Sequence, residues 1–223
     1  MNVLSLIARL PAVPVLRDRS RALAVLDAVL SPEWEWRYFS YDAHWASGQE
    51  MASMRNGSGD EYSLVLTPDG VFARGFDHES PMSPYRTAPL APWPGLLDTV
   101  PAVFRPQVEE PAFCDDGVLR ATVCFWRETH DTAWRTGDLA PLPPGQVDDG
   151  SAGWLFDVLA AGTPEAYQEF AEDYYETTVD LDAVRHVFAL RPLTEAVVTA
   201  LNPEQSLAGL AADLAETGYP TTT

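Results

Sequence analysis

Residues 51–76 read MASMRNGSGDEYSLVLTPDGVFARGF, and the turn residues inside that run decide the fold. Asn56-Gly57-Ser58-Gly59 and Pro68-Asp69-Gly70 are turn chemistry. Glycine supplies positive φ there, and asparagine or aspartate bonds its own backbone two residues on. They separate three segments of strand length: Glu50–Arg55, Glu61–Thr67 and Val71–Phe76. Such short connections predict an antiparallel β-meander.

Working outward, Trp34–Tyr41 alternates Trp34, Trp36 and Tyr38 with Glu35 and Arg37. That period of two predicts a strand with its tryptophans in the core. Asp18–Leu30 places Ala22, Leu23, Leu26, Val29 and Leu30 on one stripe and predicts a helix, ended by Pro32. Downstream, Ser80–Pro94 holds five prolines and is a loop, and Leu119–Arg127 is a strand by alternation. A second proline-rich loop ends at Gly150. Helices are then expected at Ser151–Ala161, Pro164–Glu176, Asp180–Phe188, Leu193–Leu201 and Glu204–Glu216, with Gly218 as a C-terminal cap. Strands followed by a run of helices give an α+β class: an antiparallel meander, an N-terminal helix and C-terminal helices. The simplest organisation is one domain over 1–223, sheet-rich over 31–135, with an acidic helical lobe over 150–218.

Charge is the second informative pattern. The net charge is -19. Residues 1–110 hold nine arginines against fourteen acids, a net of -5, whereas 111–223 hold five against nineteen, a net of -14. From Thr136 to Val184 there are eleven acids and no arginine, lysine or histidine. Such a field repels nucleic acid and anionic membrane and attracts cations. There is no lysine anywhere in the chain, so Schiff-base and P-loop lysine chemistry is excluded. The apolar N-terminal run is broken by Arg9 and Pro11 and is too short to span a membrane, so a cytoplasmic location is expected. No cofactor motif is present.

Within the base-free stretch, Thr163-Pro164 starts a helix as N-cap and first helical residue. Tyr167, Phe170, Ala171 and Tyr174 form its apolar face, while Glu165, Glu169, Glu172, Asp173 and Glu176 form one acidic stripe. Like charges at i, i+4 oppose the helix by roughly 0.2–0.5 kcal/mol per pair. The stripe is either a plain solvated face or one that meets a cation. Asp148 and Asp149, ahead of Ser151, read as helix capping or as part of the same anionic face.

Two further clusters set a histidine beside carboxylates: Asp77-His78-Glu79 and Glu128-Thr129-His130-Asp131. Brought together, His78, Glu79, His130 and Asp131 could hold a divalent metal or form an acid–base pair. Neither has HExxH spacing. Apart, each is a surface histidine bonded to its neighbours. Cys114 and Cys124 flank the turn signal Asp116-Gly117, so a cross-strand disulfide and buried free thiols are both open. Trp126 and Trp154 fall on predicted elements and belong to the core, whereas Trp45, Trp93 and Trp134 lie in less regular segments and are interface anchors.

The run Met51–Pro81 resembles a family of bacterial proteins of actinobacterial type with no settled activity. The likeness extends to DDGSAGWLF, Asp148–Phe156, and to RPLTEAVVTALNP, Arg191–Pro203. It implies no functional residue. The residues themselves favour a binding protein that presents Glu165, Glu169, Glu172, Asp173, Glu176, Asp148 and Asp149 to a basic protein partner. A toxin-neutralising immunity-type protein is one concrete version. The alternative is a small metal-dependent hydrolase, which requires the two histidine clusters to converge in one pocket. A scaffold with no ligand is the third reading.

Overall fold

The computed structural model describes residues 2–146 and 151–221. In chain order it contains helices α1 (Val3–Ile7) and α2 (Val13–Leu30) and strands β1 (Phe39–Ala46), β2 (Gln49–Arg55), β3 (Glu61–Thr67) and β4 (Gly70–Phe76). Helix α3 (Arg105–Val108) and strands β5 (Cys114–Asp115), β6 (Val118–Leu119), β7 (Val123–Glu128) and β8 (Arg135–Thr136) follow. The chain then turns helical: α4 (Ser151–Leu155), α5 (Asp157–Ala161), α6 (Pro164–Tyr174), α7 (Leu181–Phe188), α8 (Glu195–Leu201) and α9 (Ala211–Thr217). The class is α+β, with antiparallel strands, an N-terminal helix and C-terminal helices. Among the described residues no helix is long and apolar enough to cross a membrane.

Two compact units make up the chain, and neither is continuous. One comprises residues up to Val13 together with Arg55–Asp157; the other comprises Pro14–Met54 and the residues from Val158 onward. The division does not follow the expected segments 31–135 and 150–218. Helix α2 and the β1–β2 hairpin group with the C-terminal helices.

In the first unit, β3, β4, β7 and β8 pair in succession. Every residue of β4 is buried. Helices α1 and α4 lie over one face of this sheet. There Phe156 stacks on Tyr62 at 4.6 Å and meets Phe125 edge-on at 5.0 Å. Gly75 permits that approach. A Cβ at this position would lie 2.7 Å from Val123 Cγ1 and 2.9 Å from Phe156 Cε2, closer than atoms can pack. The strand expected at Leu119–Arg127 is split: Val118–Leu119 closes a short hairpin on Cys114–Asp115, and β7 begins at Val123. Cys114 therefore faces Leu119, while Cys124 faces Arg74 on β4. Both thiols are free, and burial pushes Cys124 up to about 12.

In the second unit, α2 buries Leu16 and a continuous run from Ala22 to Val29. Asp27 lies inside that run and is fully buried. Its carboxylate accepts the Phe39 N–H of β1 and the Tyr167 hydroxyl of α6, both at 2.6 Å. One side chain thus ties a helix to a strand and to a second helix. Burial pushes its pKa up to about 6, against the pull of those same bonds.

The strand expected at Trp34–Tyr41 is corrected. Trp34–Trp36 is a 3-10 turn, and β1 starts only at Phe39. The cause is Arg37, which is buried and donates to the carbonyls of Ser31 (2.9 Å) and Pro32 (2.8 Å) and to Asp213 of α9 (2.5 Å). The backbone curls round the guanidinium and cannot extend. Trp34 and Trp36, expected in the core, turn outward as a result; Trp154 and Trp134 also reverse, and Trp45 and Trp93 are half-buried. Trp34 and Trp36 are 54% and 66% exposed and Trp154 is 40% exposed, whereas Trp134 is buried, its Nε1 donating to the Pro11 carbonyl at 2.8 Å. Trp126 is in the core as expected.

Candidate functional site

The β3–β4 register pairs Glu61 with Phe76. One step further out, that register sets Asp60 opposite Asp77, and His78 follows. Asp60 is buried, and its Oδ1 accepts the His78 backbone N–H at 2.9 Å and lies 2.6 Å from the ring Nδ1. Its Oδ2 accepts Asn56 Nδ2 at 2.7 Å. Asp77, also buried, accepts the Glu79 N–H at 2.9 Å and the Trp154 Nε1–H at 3.2 Å. The bond to Asp60 holds the His78 imidazole above its ordinary pKa. Burial works to raise Asp60, but the His78 and Asn56 donors outweigh it and hold that carboxyl low.

Asp60, Asp77 and His78 offer ligand atoms within 4.8 Å of one another. Both carboxylates, however, already accept hydrogen bonds on each oxygen, so the cluster is internally satisfied. The adjacent Asn56–Gly59 turn is closed in the same way. Asn56 Oδ1 accepts the N–H groups of Ser58 (2.8 Å) and Asp60 (3.1 Å), which leaves fewer amides to cradle an anion.

The second cluster, Glu128, His130 and Asp131, also places ligand atoms within 4.8 Å. Asp131 is buried and accepts Arg135 at 2.7 Å and the Glu128 N–H at 3.1 Å. Strand pairing separates the two clusters. Gly70 pairs with Glu128, and Gly75 with Val123. His130 therefore sits beyond the start of β4 and His78 beyond its end. At about 3.3 Å per residue that is roughly 20 Å of strand. His78 and Glu79 do not meet His130 and Asp131, and the expected common pocket is not formed. Sequence reasoning missed Asp60 and Trp154 as partners of this site. The Pro68-Asp69-Gly70 turn carried the signal for Asp60, because fixing that turn fixes which residue opposes Asp77.

The acidic helix starts where the sequence places it but ends at Tyr174, short of the expected Glu176, which lies beyond the helix with a φ of 51°. Thr163 caps α6 by accepting the Ala166 N–H at 3.2 Å, with Pro164 next. Tyr167 and Ala171 are buried, Phe170 is partly covered, and Tyr174 is 38% exposed. Glu165, Glu169, Glu172, Asp173 and Glu176 are all exposed. Their circumstances differ. Glu165 pairs with Arg185 of α7 at 2.8 Å, and the same guanidinium reaches Asp182 at 3.1 Å. The base missing from the local sequence is thus supplied to Glu165 by the next helix. Glu172 accepts the Val179 N–H at 3.1 Å and fastens the chain beyond the helix end. Among the described residues, the side chains of Glu169, Asp173 and Glu176 have no ion pair or hydrogen bond. Asp148 and Asp149 lie outside the described residues.

Elsewhere several arginines meet acids. Arg17 and Arg21 both reach Glu50 (3.2 and 2.7 Å), with Tyr41 bonded to the same carboxylate. Arg74 and Arg120 converge on Glu61, the former at 2.7 Å. Arg37 holds Asp213, and Arg135 holds Asp131. Comparison with protein-family models, with curated proteins and with solved structures gives no match to this chain.

Proposed function

We propose that this protein is a cytoplasmic binding protein that presents the acidic face of α6 to a basic protein partner. Toxin neutralisation of the immunity type is the concrete form. The observation that carries the reading is the contrast in pairing. Arg17, Arg21, Arg37, Arg74, Arg120 and Arg135 are committed to acids, yet Glu169, Asp173 and Glu176 stay exposed and without a base among the described residues. Mutually repelling carboxylates on one helix disfavour it locally. A partner's cations would remove that repulsion, and complementary fields speed association.

Affinity capture from the native cell lysate tests the reading. A basic protein retained at low salt and released as salt rises is the expected result, lost in the variant Glu169→Gln/Asp173→Asn/Glu176→Gln. Retention by that variant equal to wild type contradicts the proposal.

The hydrolase alternative needs His78 and His130 in one pocket that is not formed, so what remains to test is a metal site at Asp60, Asp77 and His78 alone, whose ligand atoms lie within 4.8 Å of one another. Zinc titration followed by thermal melting tests it. A metal site there predicts a rise in Tm that His78→Ala abolishes, whereas the hydrogen-bonded network described above predicts no rise.

A further inference from the structure

Every residue from Pro32 to Trp36 is exposed. Trp34 and Trp36 are 54% and 66% exposed, and they alternate with the exposed carboxylates Glu33 and Glu35. Tryptophan carries the largest apolar surface of any side chain. Two such rings left more than half in water within three residues make a patch that calls for a reason, unlike a single exposed apolar residue.

The patch is held in place. Arg37 fixes the turn through its bonds to Ser31, Pro32 and Asp213. Two residues on, the Tyr38 ring packs against Phe170 at 4.6 Å and Tyr174 at 4.8 Å. Those contacts join Tyr38, just past the turn, to the C-terminal half of α6, whose exposed side chains include Glu169 and Asp173, with Glu176 beyond its end. The tryptophan turn and the acidic face therefore belong to one unit and are joined through Tyr38, and neither has to be ordered on binding.

We infer that this acidic–aromatic surface receives arginine side chains of a basic protein segment, stacked on Trp34 and Trp36 and bonded to the neighbouring carboxylates. The inference rests on the acidic-face reading proposed above. Charge complementarity selects the occupant: the chain carries a net charge of -19, which disfavours anionic lipid and nucleic acid. The indoles select within the cations. A guanidinium is flat and weakly hydrated, stacks on an indole face and offers a fork of donors to a carboxylate, whereas an ammonium is compact and strongly hydrated.

The test is a calorimetric titration of the full chain with two synthetic peptides of equal length and charge, one of arginine and glycine, the other of lysine and glycine, at low salt. The arginine peptide is expected to bind more tightly. Trp34→Ala/Trp36→Ala should weaken it about tenfold, the sum of two modest cation–π contributions, and bring it to the level of the lysine peptide. Trp34→Phe/Trp36→Phe should retain part of the preference. Glu169→Gln/Asp173→Asn/Glu176→Gln should weaken both peptides alike. Trp36→Ala alone, at the more exposed ring, serves if the double variant loses its wild-type circular dichroism. Equal binding of both peptides, undiminished by the tryptophan variants, overturns this inference and leaves the acidic-face reading standing. Binding of neither peptide to the wild-type protein overturns both.

Discussion

Glu61 and Glu169 are both glutamates on regular elements of one very acidic chain, and they live in opposite circumstances. Glu61 opens β3 and holds two guanidiniums, one of them on the buried Arg74. Glu169 stands in the middle of α6, exposed, with no base against it among the described residues. At Glu61 the pairing compensates a buried charge, that of Arg74. A guanidinium sealed in a sheet with no counter-charge costs several kcal/mol, whereas a carboxylate facing water costs almost nothing and only repels its neighbours. Physical necessity thus accounts for the pairing of Glu61. The unpaired ones on α6 are open to selection for something other than folding.

Removing Glu61 carries the largest expected effect. Glu61→Ala strands Arg74 and should destabilise the protein by about 3 kcal/mol or more in chemical denaturation. A cost below about 1 kcal/mol, the value of an exposed pair, would erase the distinction between the two regions.

Asp27, a buried acid without a base among the described residues, carries the next largest effect. Asp27 has its pKa pushed up to about 6, above the value of an unfolded carboxyl, so the folded state holds its proton more tightly. Its contribution is fully present below about pH 4 and is lost as pH rises through about 6, on the order of 3 kcal/mol in all. Wild-type stability measured against Asp27→Asn across that window should show the difference, because the amide can accept from Phe39 and donate to Tyr167 without titrating. Parallel curves for the two proteins would contradict it.

The smallest stability effect belongs to α6. Glu169→Gln/Asp173→Asn/Glu176→Gln relieves like-charge neighbours and should leave stability unchanged or raise it by a few tenths of a kcal/mol per pair, about 0.2–0.5. A clear loss in the melting curve would mean that these acids hold the fold after all.

The sequence was most legible where local chemistry dominates. The 51–76 meander has its turns at Asn56–Gly59 and Pro68–Gly70, with the expected strands within a residue of their ends. Helix α6 starts on Thr163 and Pro164 as the capping chemistry requires. Reading failed where a distant residue overrides a local pattern. The Trp34–Tyr38 alternation is a sound strand signal, but Arg37 bonds to Asp213, 176 positions away, and the turn that results turns Trp34 and Trp36 outward. The same holds for Trp134, which looks exposed in an irregular segment until Pro11 offers its carbonyl. At the histidine clusters the residue types were legible and their convergence was not. The β3–β4 register, which delivers Asp60 to His78, is fixed by the Pro68-Asp69-Gly70 turn, whereas the separation of His78 from His130 emerges only once β4 and β7 are paired.

Whether Glu169, Asp173 and Glu176 meet a cationic partner decides the proposed function. Its most direct test is the salt dependence of binding to an arginine-rich peptide, measured for the wild-type protein and for Glu169→Gln/Asp173→Asn/Glu176→Gln. From about 50 mM to about 300 mM salt the Debye length shrinks roughly from 14 to 6 Å. The account predicts steep weakening of the wild-type complex over that range, and a variant that binds more weakly at low salt with a shallower slope. Equal affinities and equal slopes for the two proteins would contradict it.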